Sequence, residues 1–343
     1  MRSRELVLRA IDNDEVPRVP IHIEAGDPDI ESSLGDVVAI SARIRELRDF
    51  ENGGPFARGE MSLKRWIESL ELDSFPWPEP HEVAERISRR ISRLAKEYSA
   101  KGRFIMCKVL GPTETCESLC MPPRGEAGRR LGQIYHEFDY AKLVILDYTK
   151  ARGMFERVYR VIREVVRAAA EIESVDAVRI ADDACDYGGY LYPRRFIEEL
   201  YLPRHKELAM IIRRGGKAPI LHCDGDIVSS GLAERLKDYY KAFHPLDLVR
   251  KSTQHSVKVW LKRVEEAKAI LKENAFFTGL LIELLYDDTV EVEDFVLVVG
   301  ELMKRIPRGL VLSTTHRPYP GRSVLERKVL LKINAVKSLL LKV

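Results

Sequence analysis

Short apolar runs rich in β-branched residues recur along the chain, separated by longer amphipathic stretches. Eight of them read as strands, over 18–24, 36–41, 103–111, 176–183, 217–225, 240–247, 275–281 and 309–316. Near-continuous apolarity, as in Phe276-Phe277-Thr278-Gly279-Leu280-Leu281, suits strands covered on both faces and hence a parallel sheet. Helical stripes fill the gaps. Val158, Ile162, Val165, Val166 and Ala169 share one face within 155–173, and Val257, Leu261, Val264, Ala267 and Leu271 share another within 257–272. Two more helices are predicted over 291–305 and 324–341. Eight strands alternating with helices over roughly 300 residues predict an α/β fold, a distorted (β/α)8 barrel of the TIM type. The rival is an open doubly wound sheet, but no G-x-G-x-x-G or Walker loop follows any strand.

Two segments interrupt the rhythm. Residues 50–80 are rich in Gly and Pro (ENGGPFARGE, FPWPEP) and read as an excursion over one end of the barrel. Residues 119–150 begin CMPPRGEAGRR and continue as an apolar, Tyr-rich helix, an insertion that serves as a lid or a contact surface. No linker marks a boundary, so 1–343 reads as one barrel domain.

Composition narrows the setting. With 45% hydrophobic residues in 343 the chain can bury a large core, and a net charge of +3 makes no case for nucleic acid or an anionic membrane. The N-terminus MRSRELVLRAIDNDE is charged and helix-like, without the apolar centre of a signal peptide. No run reaches the roughly 18 apolar residues of a membrane span. Five cysteines, an odd number, point to reduced thiols and a cytoplasmic location rather than a disulfide frame. Cys116 and Cys120 read as helix packing. Few amides (two Gln and four Asn) with 32% charged residues is a heat-adapted composition.

A barrel keeps its chemistry at the C-terminal ends of its strands. Those ends carry His22 and Glu24, Asp182 and Asp183, His222-Cys223-Asp224, His244, Glu283, and His316 with Arg317. Four of the eight histidines sit there. Side chains alternate along a strand, so His222 and Asp224 share a face while Cys223 points away as a small buried hydrophobe. A His-x-Asp pair offers an imidazole nitrogen and a carboxylate oxygen to one cation such as zinc, and His316 supplies a third donor. Glu283 or Glu24 is placed to complete the set. Without metal, the same groups serve acid–base chemistry. Asp182, Asp183, His222, Asp224 and His316 are therefore the catalytic candidates, with Glu24, Glu283 and Arg317 as candidate substrate contacts. Asp182 and Asp183 have the alternative role of capping the next helix. His22 and His244 read as structural.

Several blocks carry a family resemblance: SRELVLRAIDNDEVPRVPI, KVLGPTE, RIADDACDYGGYLYPRRFIEELYLPRHKEL, ILHCDGDI and LSTTHRPYPGRSVLERKVLLKINAVK. In this order they resemble the uroporphyrinogen decarboxylase superfamily. The resemblance covers most of the chain outside 50–80 and 119–150. It implies a distorted (β/α)8 barrel and a homodimer.

The superfamily holds two chemistries. One branch decarboxylates the acetate arms of uroporphyrinogen without cofactor. The other transfers a methyl group between a corrinoid, carried on a partner protein, and a thiol activated by zinc. The decarboxylase's arginine motif after the first strand is replaced here by the acidic IEAGDPDIESS, and the tyrosine beyond GPTE is missing from TCESLC. His316 matches the decarboxylase pattern. His222 matches the first zinc ligand of the methyltransferases, with Asp224 and His316 where those have cysteines. The resemblance thus implies a methyltransferase-like enzyme first, with zinc on the chain and a corrinoid on a partner. A decarboxylase of uroporphyrinogen or a related polycarboxylate is the second expectation. A non-catalytic barrel that binds a tetrapyrrole or corrinoid is the third.

Overall fold

A computed structural model of the chain describes residues 1–48, 50, 53–122 and 138–341. Eight parallel strands form one nearly closed barrel: β1 (Ile21–His22), β2 (Val37–Ser41), β3 (Phe104–Leu110), β4 (Ala177–Ala181), β5 (Ala218–His222), β6 (Ala242–His244), β7 (Ala275–Leu280) and β8 (Leu310–Thr314). Each lies within one of the eight apolar runs. Neighbours in sequence pair in register from β2 to β8, and β8 pairs back to β1. Asp36 bridges the seam between β1 and β2. Its backbone N–H donates to Ile21 O at 2.7 Å, and its carboxylate accepts the Ile21 N–H at 2.9 Å while Arg18 grips it. Arg18 therefore ends the first run outside the ladder, which shortens β1 at its N-terminal side.

Period-two alternation divides every strand between two environments. The outward faces (Val38, Ile105, Val178, Leu221, Phe243, Leu312) join the main core under the surrounding helices. The inward faces change character along the barrel axis. Val37, Ala39, Phe104, Met106, Ala177, Ile220, Ala242, Phe277 and Val311 fill the lower half, together with Val7, Ala10 and Ile11 of the N-terminal helix Ser3–Ile11. That helix plugs the N-terminal mouth. Two residues higher on the same faces come Ser41, Lys108, Arg179, His222, His244 and Ser313. The barrel is thus apolar below and ionisable above.

The helices Val257–Leu271, Val292–Arg305 and Arg327–Leu340 match the predicted stripes. The stripe expected over 155–173 belongs to a longer helix, Tyr148–Glu171, capped by the Asp147 carboxylate on Lys150 N. The excursion after β2 contains the short helix Leu63–Ser69 and folds onto the helix Pro112–Cys120 that follows β3. Gly54 N and Phe56 N donate to Met121 O and Leu119 O at 2.8 and 3.0 Å. Of the insertion 119–150, residues 123–137 lie outside the described residues. Its apolar helix is Asp139–Leu146, whose Tyr140 is fully buried. Cys116 and Cys120 pack inside, and all five cysteines are buried and free. Among the described residues no helix is long and apolar enough to cross a membrane.

Candidate functional site

The C-terminal mouth of the barrel holds a cavity of about 570 Å³ with an acidic side and a cationic side. On the acidic side stand Glu114, Asp183 and Asp224, and His222 and His316 meet them there. One donor atom from each of His222, Asp224 and His316 can be chosen so that all three lie within 4.8 Å of one another. The chain brings them from β5, the turn after it, and the turn after β8. Gly225, at φ +88°, turns the chain directly behind Asp224; a Cβ there would meet Cys185 O at 2.6 Å.

Hydrogen bonds assign the protons on the histidine rings. His244 Nε2 lies 3.1 Å from Thr314 O, a carbonyl that only accepts, so His244 carries its proton on Nε2. Burial holds both His222 and His244 well below the ordinary histidine range, so both rings are neutral. His244 Nδ1 is then bare and accepts the Nδ1–H of His222 at 2.6 Å. The lone pair of His222 is left on Nε2, 3.4 Å from Asp224 Oδ1. That oxygen is buried and has no hydrogen-bond donor among the described residues. His316 Nε2 lies 3.8 Å from the same oxygen, and burial lowers its pKa as well. Two lone pairs therefore face each other across a short gap, an arrangement that calls for a proton or a cation between them.

The carboxyls of this side resist ionisation. Burial, then Asp183 and Asp247, raises Asp224 well above the carboxylate range. Asp183 accepts the Asp224 N–H at 2.8 Å, yet burial pushes it up to about 6. Burial and the charges of Asp183 and Asp182 raise Glu114, which hydrogen-bonds Asp183. Asp183 and Glu114 thus hold a shared proton at the edge of the His–Asp cluster.

The opposite wall centres on Glu24. Its carboxylate meets Lys108 Nζ at 2.8 Å, Arg179 Nη1 at 2.9 Å and Arg317 Nε at 3.3 Å. Burial works against its charge, but Arg179 and then Lys108 hold it well below the ordinary range.

Of the residues singled out in the sequence, Asp183, His222, Asp224, His316, Glu24, Glu283 and Arg317 line this cavity. Asp182 does not. It belongs to the opposite face of the chain from Asp183 and is fully buried, with its carboxylate bonded to His205 Nε2, the Glu114 N–H and the Thr113 hydroxyl. Gly111 permits that burial, since a Cβ there would meet Asp182 Cβ at 2.2 Å. Glu24 and Glu283 stand outside the three-residue cluster, Glu24 with its charge committed to three cations. His22 bonds Ser313 at 2.9 Å, and burial pushes it down to about 3.

Lys108, Arg179, Glu114 and His244 were not among the sequence candidates. The signal for the first two lies in FIMCKVL and AVRIA, where a single cation interrupts an apolar strand on the face that carries Met106 and Ala177. No protein-family model matches the chain, and a search of curated proteins returns no match.

Proposed function

We propose that the chain is a methyltransferase-like enzyme of the uroporphyrinogen decarboxylase superfamily, moving a methyl group between a corrinoid on a partner protein and a thiol or similar nucleophile. The observation that carries the metal-assisted reading is the approach of two acceptors, His222 Nε2 and Asp224 Oδ1, at 3.4 Å, with His316 beside them. In this reading His222, Asp224 and His316 hold a divalent cation such as zinc. Bound there, it supplies Lewis acidity that lowers the pKa of a thiol or water. His244 keeps the His222 lone pair aimed into the cavity. Asp183 and Glu114, poised to exchange a proton, take up the one released by the nucleophile. The corrinoid and the thiol come from the resemblance.

Elemental analysis of protein prepared without a histidine tag tests the metal. About one ion per chain is expected, and its loss in His222→Ala. Less than about a tenth of an equivalent, unchanged by that substitution, defeats the reading.

A second reading rests on the cationic wall. If a proton rather than a metal lies between His222 and Asp224, the cavity suits cofactor-free decarboxylation. Lys108, Arg179 and Arg317 then hold substrate carboxylates, and Asp224 supplies the proton that replaces the departing carbon dioxide. Incubation with uroporphyrinogen separates the two: coproporphyrinogen among the products favours decarboxylation.

A further inference from the structure

Two thiols meet behind the His–Asp cluster. Cys185 lies in the turn after β4, and Cys223 in the turn after β5, between His222 and Asp224. Each leaves 2% of its surface exposed, and both are free. Neither is among the described residues that line the catalytic cavity. Their sulfurs stand 3.9 Å apart. The carbonyl oxygen of Asp224 completes a triangle, 3.8 Å from Cys185 Sγ and 3.4 Å from Cys223 Sγ.

Two features of this triangle point to a cation. The first is its size. The point equidistant from the three donors lies about 2.1 Å from each, close to metal–sulfur bonds of about 2.3 Å and metal–oxygen bonds of about 2.0–2.2 Å. The second is the state of the carbonyl. Among the described residues no backbone N–H donates to Asp224 O, and only the two thiols reach it. A thiol is a weak donor, so a carbonyl with two lone pairs is left poorly satisfied. The backbone already holds the donors in place. Asp183 accepts the Asp224 N–H at 2.8 Å, and Gly225 lets Cys185 O approach where a Cβ would meet it at 2.6 Å. Zinc in a closed site takes four donors, and three converge here. Thiolate sulfur in low number suits monovalent copper.

We propose that Cys185, Cys223 and the Asp224 carbonyl form a second cation site, which takes monovalent copper. On binding, both S–H bonds break, two S–Cu bonds form and two protons pass to solvent, with no change of oxidation state. Asp224 thus serves the cavity with its carboxylate and the copper with its carbonyl. This site does not rest on the function proposed above.

Anaerobic titration of the full chain with monovalent copper, supplied as its acetonitrile complex against bathocuproine disulfonate as competitor, tests it. One ion per chain is expected, with a thiolate-to-copper absorption band in the ultraviolet. Cys185→Ser and Cys223→Ser each keep a donor for Asp224 O, and each should lose the band and weaken binding by about a hundredfold or more. Cys120→Ser should change neither. On the native chain, bound copper should also protect Cys185 and Cys223 from alkylation, read by mass spectrometry of the peptides. His222→Ala is expected to lose zinc and keep its copper affinity within about twofold, so the two metals are read separately. No thiolate band on the native chain, or no protection of these two cysteines, overturns the proposal. Loss of the band in Cys120→Ser but not in Cys185→Ser also overturns it, because the copper would then sit on the helix Pro112–Cys120.

Discussion

The carboxylate of Glu24, just beyond β1, meets the guanidinium of Arg179, in the middle of β4, at 2.9 Å inside the barrel. Lys108 and Arg317 approach the same carboxylate. One buried anion therefore holds three cations together, and without it they repel one another in a poorly solvated space. Glu24→Gln is expected to cost about 3–5 kcal/mol in urea unfolding, the range for breaking one side of a buried ion pair. The effect has a defined pH sense. The folded pKa of Glu24 lies well below its ordinary 4.5, so its contribution is full above 4.5 and is lost as the pH falls toward the lowered value. Native and variant stabilities should converge on acidification. A constant difference across that window counts against the charge as the cause.

His244 is not among the described residues lining the cavity, yet its hydrogen bond sets the tautomer of His222. His244→Phe keeps a ring of similar size but removes both the acceptor for His222 Nδ1–H and the donor to Thr314 O. His222 is then free to carry its proton on Nε2, the wrong nitrogen for ligation. Zinc affinity, read by competition with a chelating dye, should fall about 10–100-fold, as for other partners that orient a ligating histidine. Unchanged affinity would show that the tautomer chain has no bearing on the metal.

The barrel is legible in the sequence because burial on both strand faces leaves long apolar runs, and the eight runs contain the eight strands. The cluster of His222, Asp224 and His316 is legible because period two and the strand-end rule together place them on one mouth. The rest depends on facing directions and partners that one sequence hides. Asp182 and Asp183 look equivalent in ADDAC, but successive residues turn to opposite faces. Asp182 goes to His205, 23 positions later. Nothing in the residues around His244 shows that its partners are a second histidine and a carbonyl of β8. Glu24 looks like a ligand until its three cations, from β3, β4 and the turn after β8, are brought beside it.

That division between the two aspartates has a direct consequence. Asp182→Asn places an amide where the carboxylate accepts from the Glu114 N–H and the Thr113 hydroxyl and meets His205. At least one donor must then face another donor. A loss of about 1–3 kcal/mol in stability is expected, with zinc content unchanged. The same substitution at Asp224 should reverse the pattern, losing zinc with less effect on unfolding. Loss of metal in Asp182→Asn with native stability would return Asp182 to the site.

Glu117 offers a pH test away from the cavity. It lies on the helix Pro112–Cys120 and accepts from Tyr140 N, Ala141 N and Tyr192 Oη at 3.2, 3.1 and 3.1 Å. The two amides belong to the first turn of the helix Asp139–Leu146, where N–H groups have no partner within the helix. Burial nevertheless outweighs these donors and pushes Glu117 from 4.5 to about 7. A carboxyl whose pKa rises on folding favours the fold when protonated. Its effect is absent below about 4.5, grows as a penalty between 4.5 and about 7, and is constant above. The full penalty is about 3 kcal/mol. Glu117→Gln stays neutral throughout, so its stability should lack this slope. Its amide group also faces the Tyr140 N–H, which lowers stability at every pH; the slope, not the level, is the readout. Melting temperatures of both proteins from about pH 4.5 to 8 decide the matter, because parallel curves would mean that Glu117 ionises at its ordinary value inside the fold.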